Sequence, residues 1–181
     1  MRGDGVTMPG VLVGGGATQD DVARAVFDRD VRPLMDDLFR YFVRRVPRDD
    51  AEDCLSETLL VLWRRWADVP KDAGGRRLWA YGVARKVAWA HQRKASRRKA
   101  IQDAVRAPLS SDPSGSDAVV EALGALSEAD QELIRLIVWD GFGVGEAGRI
   151  LGLKETTARN RWARAKAALR ERLTDDADQA R

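Results

Sequence analysis

Residues that carry out chemistry are scarce in this chain. Among its 181 residues there is one cysteine, Cys54, and one histidine, His91. A single cysteine excludes an internal disulfide and a cysteine-based zinc site, and fits a reducing interior. His91 sits in a basic stretch with no second histidine or cysteine beside it, so neither a metal set nor a nucleophilic triad is legible around it. Alternating apolar and polar runs are missing as well, so no strand is expected and no Gly-rich phosphate loop can follow one. No segment approaches the ~18 to 20 consecutive apolar residues of a membrane span. The early MPGVLVGGGA is too short and too Gly-rich for the apolar part of a secretory signal. Together these absences lead us to expect an all-α, cytoplasmic protein with no metal, no cofactor, no membrane insertion and no catalysis of its own.

Charge is abundant and unevenly placed. Lys and Arg number 31 against 28 Asp and Glu, a net charge of only +3. Yet Arg76 to Lys99 holds nine basic residues and no acidic one, while Asp49 to Glu57 holds Asp49, Asp50, Glu52, Asp53 and Glu57 and no basic one. Segregation of this kind points to a polyanion at one surface and a different partner at another.

Texture along the chain divides it into two units. Residues 1–17 carry six glycines and read as a mobile tail. Thr18 with Asp21 resembles a helix cap, and Val31, Leu34, Met35, Leu38, Phe39, Phe42 and Val46 recur at helical spacing. Pro33 is tolerated near a helix start, so a break is expected between Phe27 and Pro33. After Pro47 a second helix is expected, capped by Asp49 with Glu52 three residues on, and buried along Ala51, Leu55, Thr58, Leu62 and Trp66. VPKDAGGRR, residues 69–77, reads as a loop, and LWAYGVARKVAWAHQRKASRRK as a helix with Trp79, Val83, Val87 and Ala90 inward. APLSSDPSGSDA, residues 107–118, has a linker's composition. Beyond it, Val119, Val120, Leu123 and Leu126 suggest a short helix, Ser127 with Asp130 a cap, and Leu133, Ile134, Ile137 and Val138 a buried face. A short helix, a turn at Gly152 and a longer helix with Ala158, Trp162, Ala165 and Leu169 inward complete the chain.

Two of these segments fit nucleic acid. A helix, a glycine turn and a basic second helix form the helix-turn-helix pattern, with Gly148 small enough for close helix approach and Arg159, Asn160, Arg164 and Lys166 placed to reach phosphates and base edges. In the basic helix, Trp79, Tyr81 and Trp89 are interleaved with cations, a combination suited to unstacked single-stranded bases. The loop at Gly74 and Gly75 could receive a base drawn from the duplex. A solvated charged face and a core tryptophan are the plain alternatives.

At this point three ordered blocks resemble the extracytoplasmic-function group of bacterial sigma factors, the two-domain members of the sigma-70-like family. DAEDCLSETLLVLW is similar to the family's D-A-E-D-x-x-Q-E-x-F-x-x-x-W on the helix that grips the clamp of core RNA polymerase. WAYGVARK is similar to W-L-x-x-I-A-R-N on the helix that engages the melted minus-ten element. GLKETTARNRWARAK is similar to G-V-P-x-G-T-V-K-S-R-L-x-R-A-R, the recognition helix for the minus-thirty-five element. Ser56, Leu59, Lys86, Gly148, Lys154 and Thr156 depart from the residues common at those places.

The resemblance implies two small helical domains on a flexible linker: a sigma-2-like domain over 18–102, a linker over 103–117, a sigma-4-like domain over 118–174 and a tail over 175–181. It assigns core-polymerase contact to Asp50, Glu52, Asp53, Ser56, Glu57, Leu60 and Arg64. Contact with the minus-ten element falls to Arg76, Arg77, Trp79, Tyr81, Arg85, Lys86, Trp89 and Arg93. The minus-thirty-five element is assigned to Lys154, Thr156, Thr157, Arg159, Asn160, Arg161 and Arg164. The implied partners are core RNA polymerase and promoter DNA, duplex and melted, with an anti-sigma factor as the antagonist found for many relatives; bound to polymerase, the protein would sit on the nucleoid. Two other readings stay open on the residues alone. A stand-alone helix-turn-helix regulator explains Arg159 to Lys166 but leaves DAED and the basic aromatic helix without a role. A helical adaptor that binds only proteins is opposed by the nine uncompensated cations of 76–99.

Overall fold

The computed structural model describes residues 19–103 and 118–179. They form seven α-helices and one short 3-10 turn, with no strand among the described residues. The first bundle comprises α1 (Gln19–Val43), α2 (Arg48–Arg64) and α3 (Ala73–Asp103); the second comprises α4 (Ala118–Gly124), α5 (Glu128–Val138), α6 (Val144–Leu151) and α7 (Glu155–Gln179). The cap proposed at Thr18 and the linker segment between the bundles lie outside the described residues.

In the first bundle the apolar stripe of α1 delivers Val31, Leu38 and Phe42 to the core, with Val46 just beyond the helix, where they meet Ala51, Cys54 and Leu62 of α2 and Ala80, Ala84 and Val87 of α3. The break expected ahead of Pro33 does not occur: α1 runs through it, with Pro33 on the exposed side. Tertiary packing overrides the local penalty, because Phe27 sits edge-on to Trp63 and Trp66 at 5.1 and 5.0 Å and anchors the turns before the proline.

Helix α2 begins two residues earlier than its acidic signal suggests. Pro47 is the N-cap, its carbonyl accepting the Asp50 amide at 2.9 Å, and no side chain caps the helix. Asp49 and Asp50 instead lie in the first turn, where a negative charge opposes the positive end of the helix dipole. The inward stripe is as expected, with Ala51, Thr58 and Leu62 buried and Leu55 and Trp66 half-buried.

The loop before α3 is shorter than its glycines imply. Asp72 caps the helix by accepting the Gly75 amide at 2.7 Å, so Gly74 and Gly75 already belong to the first turn. Gly75 lies so close to this cap that an added Cβ would fall 2.7 Å from Asp72 Oδ2. Along α3, Val87 is buried and Trp79 and Val83 half-buried, but Ala90 is exposed; Ala80, Tyr81, Ala84 and Ala88 fill the face that was assigned partly to it.

In the second bundle Ser127 caps α5 as expected, its hydroxyl accepting the Asp130 amide. Leu133 and Ile134 are buried and Ile137 half-buried, while Val138 is exposed and Leu136 occupies the core in its place. Helix α6 ends at Gly152 with φ 71°, the left-handed conformation that glycine adopts without a Cβ clash. The Leu153 and Gly152 amides bond back to the Gly148 and Arg149 carbonyls, a Schellman stop. Ala158 and Ala165 of α7 are buried and Trp162 and Leu169 half-buried, as their spacing predicts.

Candidate functional site

The outer face of α2 carries Asp53, Ser56, Glu57, Leu60 and Arg64 into solvent together, with Glu52 beside them and Asp50 half-buried at the helix start. Leu60 is 45% exposed. Trp63, 40% exposed and edge-on to Phe27, extends this strip with an aromatic surface that the sequence reading did not single out. Glu57 is tied to the neighbouring helix by His91, whose Nε2 lies 3.2 Å from Glu57 Oε2. The lone histidine thus pairs with an α2 carboxylate on the acidic strip. Beneath the strip, Cys54 is fully buried; burial first, then Asp50, Glu57 and Asp53, push its thiol up to about 11.

The cations and aromatics of α3 divide between faces. Lys86, Trp89 and Arg93 are exposed at i, i+3 and i+7 spacing, and the Arg93 guanidinium lies 4.3 Å from the Trp89 ring centroid. Arg77, Tyr81 and Arg85 lie at i, i+4 and i+8 on the side turned toward the second bundle. Tyr81 is only 1% exposed and stacks edge-on against Phe142 at 4.6 Å. Burial, followed by the Asp140 charge, pushes its hydroxyl up to about 12. Trp79 is half-buried, with the Arg65 guanidinium 5.8 Å from its ring.

Arg76 stands apart from the others at the start of the helix. It bridges to Asp30 at 2.9 Å and donates to the Lys71 carbonyl at 2.6 Å, fixing the short loop against α1. An open cleft of about 550 Å³ lies there, between α1 and the loop, lined among others by Trp66, Pro70, Lys71 and Arg76. It combines an aromatic ring, cations and enough room for a single planar base.

In the helix-turn-helix, Lys154, Thr156, Thr157, Arg159, Asn160 and Arg164 are exposed. Thr157, Asn160 and Arg164 share one face and border a shallow depression. Arg159 is held by Glu155 one turn back. Arg161 differs from the rest: it is half-buried and turned toward Asp130 at 3.7 Å. Among the described residues no group of His, Cys, Asp and Glu could hold a metal ion, and no helix is long and apolar enough to cross a membrane.

Sequence reasoning missed one set of residues entirely. Arg44, Arg45, Glu132, Asp140 and Phe142 bring the two bundles together. Each looks like an ordinary surface or loop residue in sequence, and only their distant pairing gives them meaning.

Comparison with known proteins agrees with this geometry. Residues 116–169 match the family described as Sigma-70, region 4. The ECF RNA polymerase sigma factor SigL of Mycobacterium tuberculosis is 28% identical over 171 residues, covering 90% of this chain and 94% of its own. Two solved structures share the fold. The sigma factor RpoE in complex with the anti-sigma factor NepR, from Bartonella quintana, has a TM-score of 0.63 at 23% identity, covering 82% of this chain and 97% of that one. CnrH in complex with the cytosolic domain of CnrY has a TM-score of 0.57 at 22% identity, covering 84% and 90%. The match of the second bundle, the relative that spans nearly the whole length and the shared two-bundle fold all agree with the three sequence blocks, and the chain is accordingly similar along most of its length to sigma factors of the extracytoplasmic-function type.

Proposed function

We propose that the protein binds core RNA polymerase through the outer face of α2 and directs it to promoters, reading the minus-thirty-five element with α7 and the melted minus-ten element with α3 and the loop before it. The observation that carries this reading is the separation of surfaces. A strip of Asp53, Glu57, Leu60 and Trp63 combines acidic steering with an apolar centre, which suits a basic protein surface. Two cationic helices on different bundles are left for nucleic acid. The exposed Trp89 under Arg93 offers a stacking platform, and base stacking on an aromatic is worth ~1 to 3 kcal/mol. The cleft beside Trp66 and Arg76 would receive a base flipped from the duplex, offsetting an unstacking cost of a few kcal/mol. The protein does no bond chemistry in this scheme; polymerase does it.

An antagonist is part of the same reading, since RpoE, whose fold this chain shares, is held by an anti-sigma factor. Run-off transcription with core polymerase on genomic fragments tests the whole: promoter-directed transcripts are expected only when the protein is added. No gain in directed starts on any template overturns the reading. Tight, specific duplex binding by the protein alone would favour a stand-alone regulator.

A further inference from the structure

Where α3 meets α6 lies another open cleft, of about 500 Å³, inside the ~300 to 1,000 Å³ range of small-molecule sites. Helix α3 lends it Trp79, Gly82, Arg85 and Lys86, α6 lends it Arg149, and Arg65 enters from the end of α2. Apolar side chains of α3 and α6 supply much of the remaining wall, and no acidic residue lines it.

Two features of this cleft have no explanation in the packing of the protein. Among the described residues, the side chains of Arg85, Lys86 and Arg149 form no ion pair and no hydrogen bond, and only Arg65 is matched, by the exposed Asp68 at 3.0 Å. Like charges gathered over apolar walls repel one another and focus a positive field into the space between them. Gly82 is the second feature. It stands in the interior of a 31-residue helix, where glycine is less favourable than alanine, yet an added Cβ would meet nothing within 4 Å. No neighbouring helix requires that missing side chain, so what its absence preserves is the open space of the cleft.

We propose that the cleft is a binding site for a nucleoside polyphosphate, with the base laid on Trp79 beside Gly82 and the phosphates held by Arg85, Lys86 and Arg149. Trp79 is half-buried and turns part of its ring to the cleft. A heteroaromatic base stacks on such a ring, and guanidinium groups meet phosphate oxygens through pairs of parallel hydrogen bonds. A single strand offers the same chemistry, but a strand-binding groove spaces its cations along the backbone and repeats its stacking rings. Here four cations share one cleft with one ring, which fits one nucleotide. Arg149 comes from α6 and belongs to none of the surfaces assigned to polymerase or promoter, so the site goes beyond the initiation reading and does not rest on it.

The test is calorimetric titration of the full chain with ATP and with GTP, and with inorganic triphosphate and adenosine as the separate halves of the ligand. Both nucleotides are expected to bind, and each half about tenfold more weakly or worse. Gly82→Leu, which fills the cleft, and Arg149→Glu, which reverses the cation contributed by α6, are each expected to weaken ATP binding about tenfold or more. Gly82→Leu should also melt no lower than wild type, since leucine favours the helix and no group stands within 4 Å of its Cβ, so that the loss of binding is not a loss of fold. Should Gly82→Leu fold poorly, Arg149→Glu, at an exposed position, carries the test. No heat with either nucleotide at millimolar concentration overturns the site, as does ATP binding that both variants leave unchanged. Triphosphate binding as tight as ATP binding would leave only an anion site and overturn the nucleotide assignment. If Arg149→Glu weakens binding of a mixed-sequence single-stranded oligonucleotide while ATP gives no heat, the cleft belongs to a strand and the proposal falls.

Discussion

Gly148 of α6 and Ala158 of α7 touch backbone to side chain: a Cβ added to Gly148 would lie 2.8 Å from the Ala158 Cβ, closer than two carbons can sit. The glycine therefore sets the spacing of the helix-turn-helix. Gly148→Val is expected to push the two helices apart and to lower stability by ~1 to 3 kcal/mol, the usual range for overfilling a packed site. Urea unfolding followed by helical circular dichroism measures it, and an unchanged midpoint would show that α6 shifts without cost.

On the exposed side of α7, Arg164 shares a face with Thr157 and Asn160, whereas Arg159 is held by Glu155. Arg164→Ala is expected to weaken promoter binding by the polymerase complex by ~1 to 3 kcal/mol if it reads a base edge. If it neutralises a phosphate instead, the logarithmic salt slope should fall by about 1. A salt titration on one promoter separates the two, and no change in either quantity removes Arg164 from the interface.

Asp53 and Glu57 are exposed on α2, and Glu57 gives up only a surface contact with His91, so Asp53→Lys with Glu57→Lys should leave helicity unchanged and unfolding nearly so. Association with core polymerase should fall severalfold, with most of the change in the on-rate and its salt dependence, as expected for charges at the rim of an interface. Equal capture of variant and wild type by immobilised core enzyme would place docking elsewhere.

Stability should also decline in alkali. Cys54 and Tyr81 have folded pKa values pushed up, to about 11 and about 12, from ordinary values of 9.0 and 10.0, by burial first and by neighbouring carboxylates second; Tyr41 is raised in the same way. A raised acid keeps its proton in the folded state after the unfolded chain has lost it. Its contribution is therefore complete below about pH 9 and fades as pH climbs through 11 to 12. The denaturation midpoint is expected to be flat from pH 7 to 9 and to drop beyond, with a shallower drop in Cys54→Ala. A flat midpoint to pH 11 would contradict the burial of these groups.

The helices and their inward faces were legible in the sequence because burial imposes a period. Leu38, Phe42, Leu62, Val87, Leu133, Ala158 and Ala165 all lie where their spacing places them. Helix ends were less legible, since a cap depends on which group reaches an amide first. Asp49 looked like a cap but Pro47 took the position, and Asp72 drew Gly74 and Gly75 into α3. The uninterrupted α1 was hidden because its support, Phe27 against Trp63 and Trp66, is tertiary. The exposure of the α2 strip and of most of the α7 face was foreseeable from helical geometry. The burial of Tyr81 was not: it follows from Phe142, more than sixty positions away, and no local pattern encodes that meeting.

Among the described residues, the second bundle retains little apolar interior of its own. Leu123, Ile134 and Ala165 form its separate cluster, while Leu133, Leu136, Phe142, Ala147 and Ile150 belong to the cluster continuous with the first bundle. Parting the halves would therefore bare greasy surface on both, and a separated molecule without a binding partner would be a ready substrate for proteases and a nucleus for clumping. Whatever captures the parted form shields it by mass action. How long the two bundles could stay parted is thus set by how quickly a partner covers the bared surface.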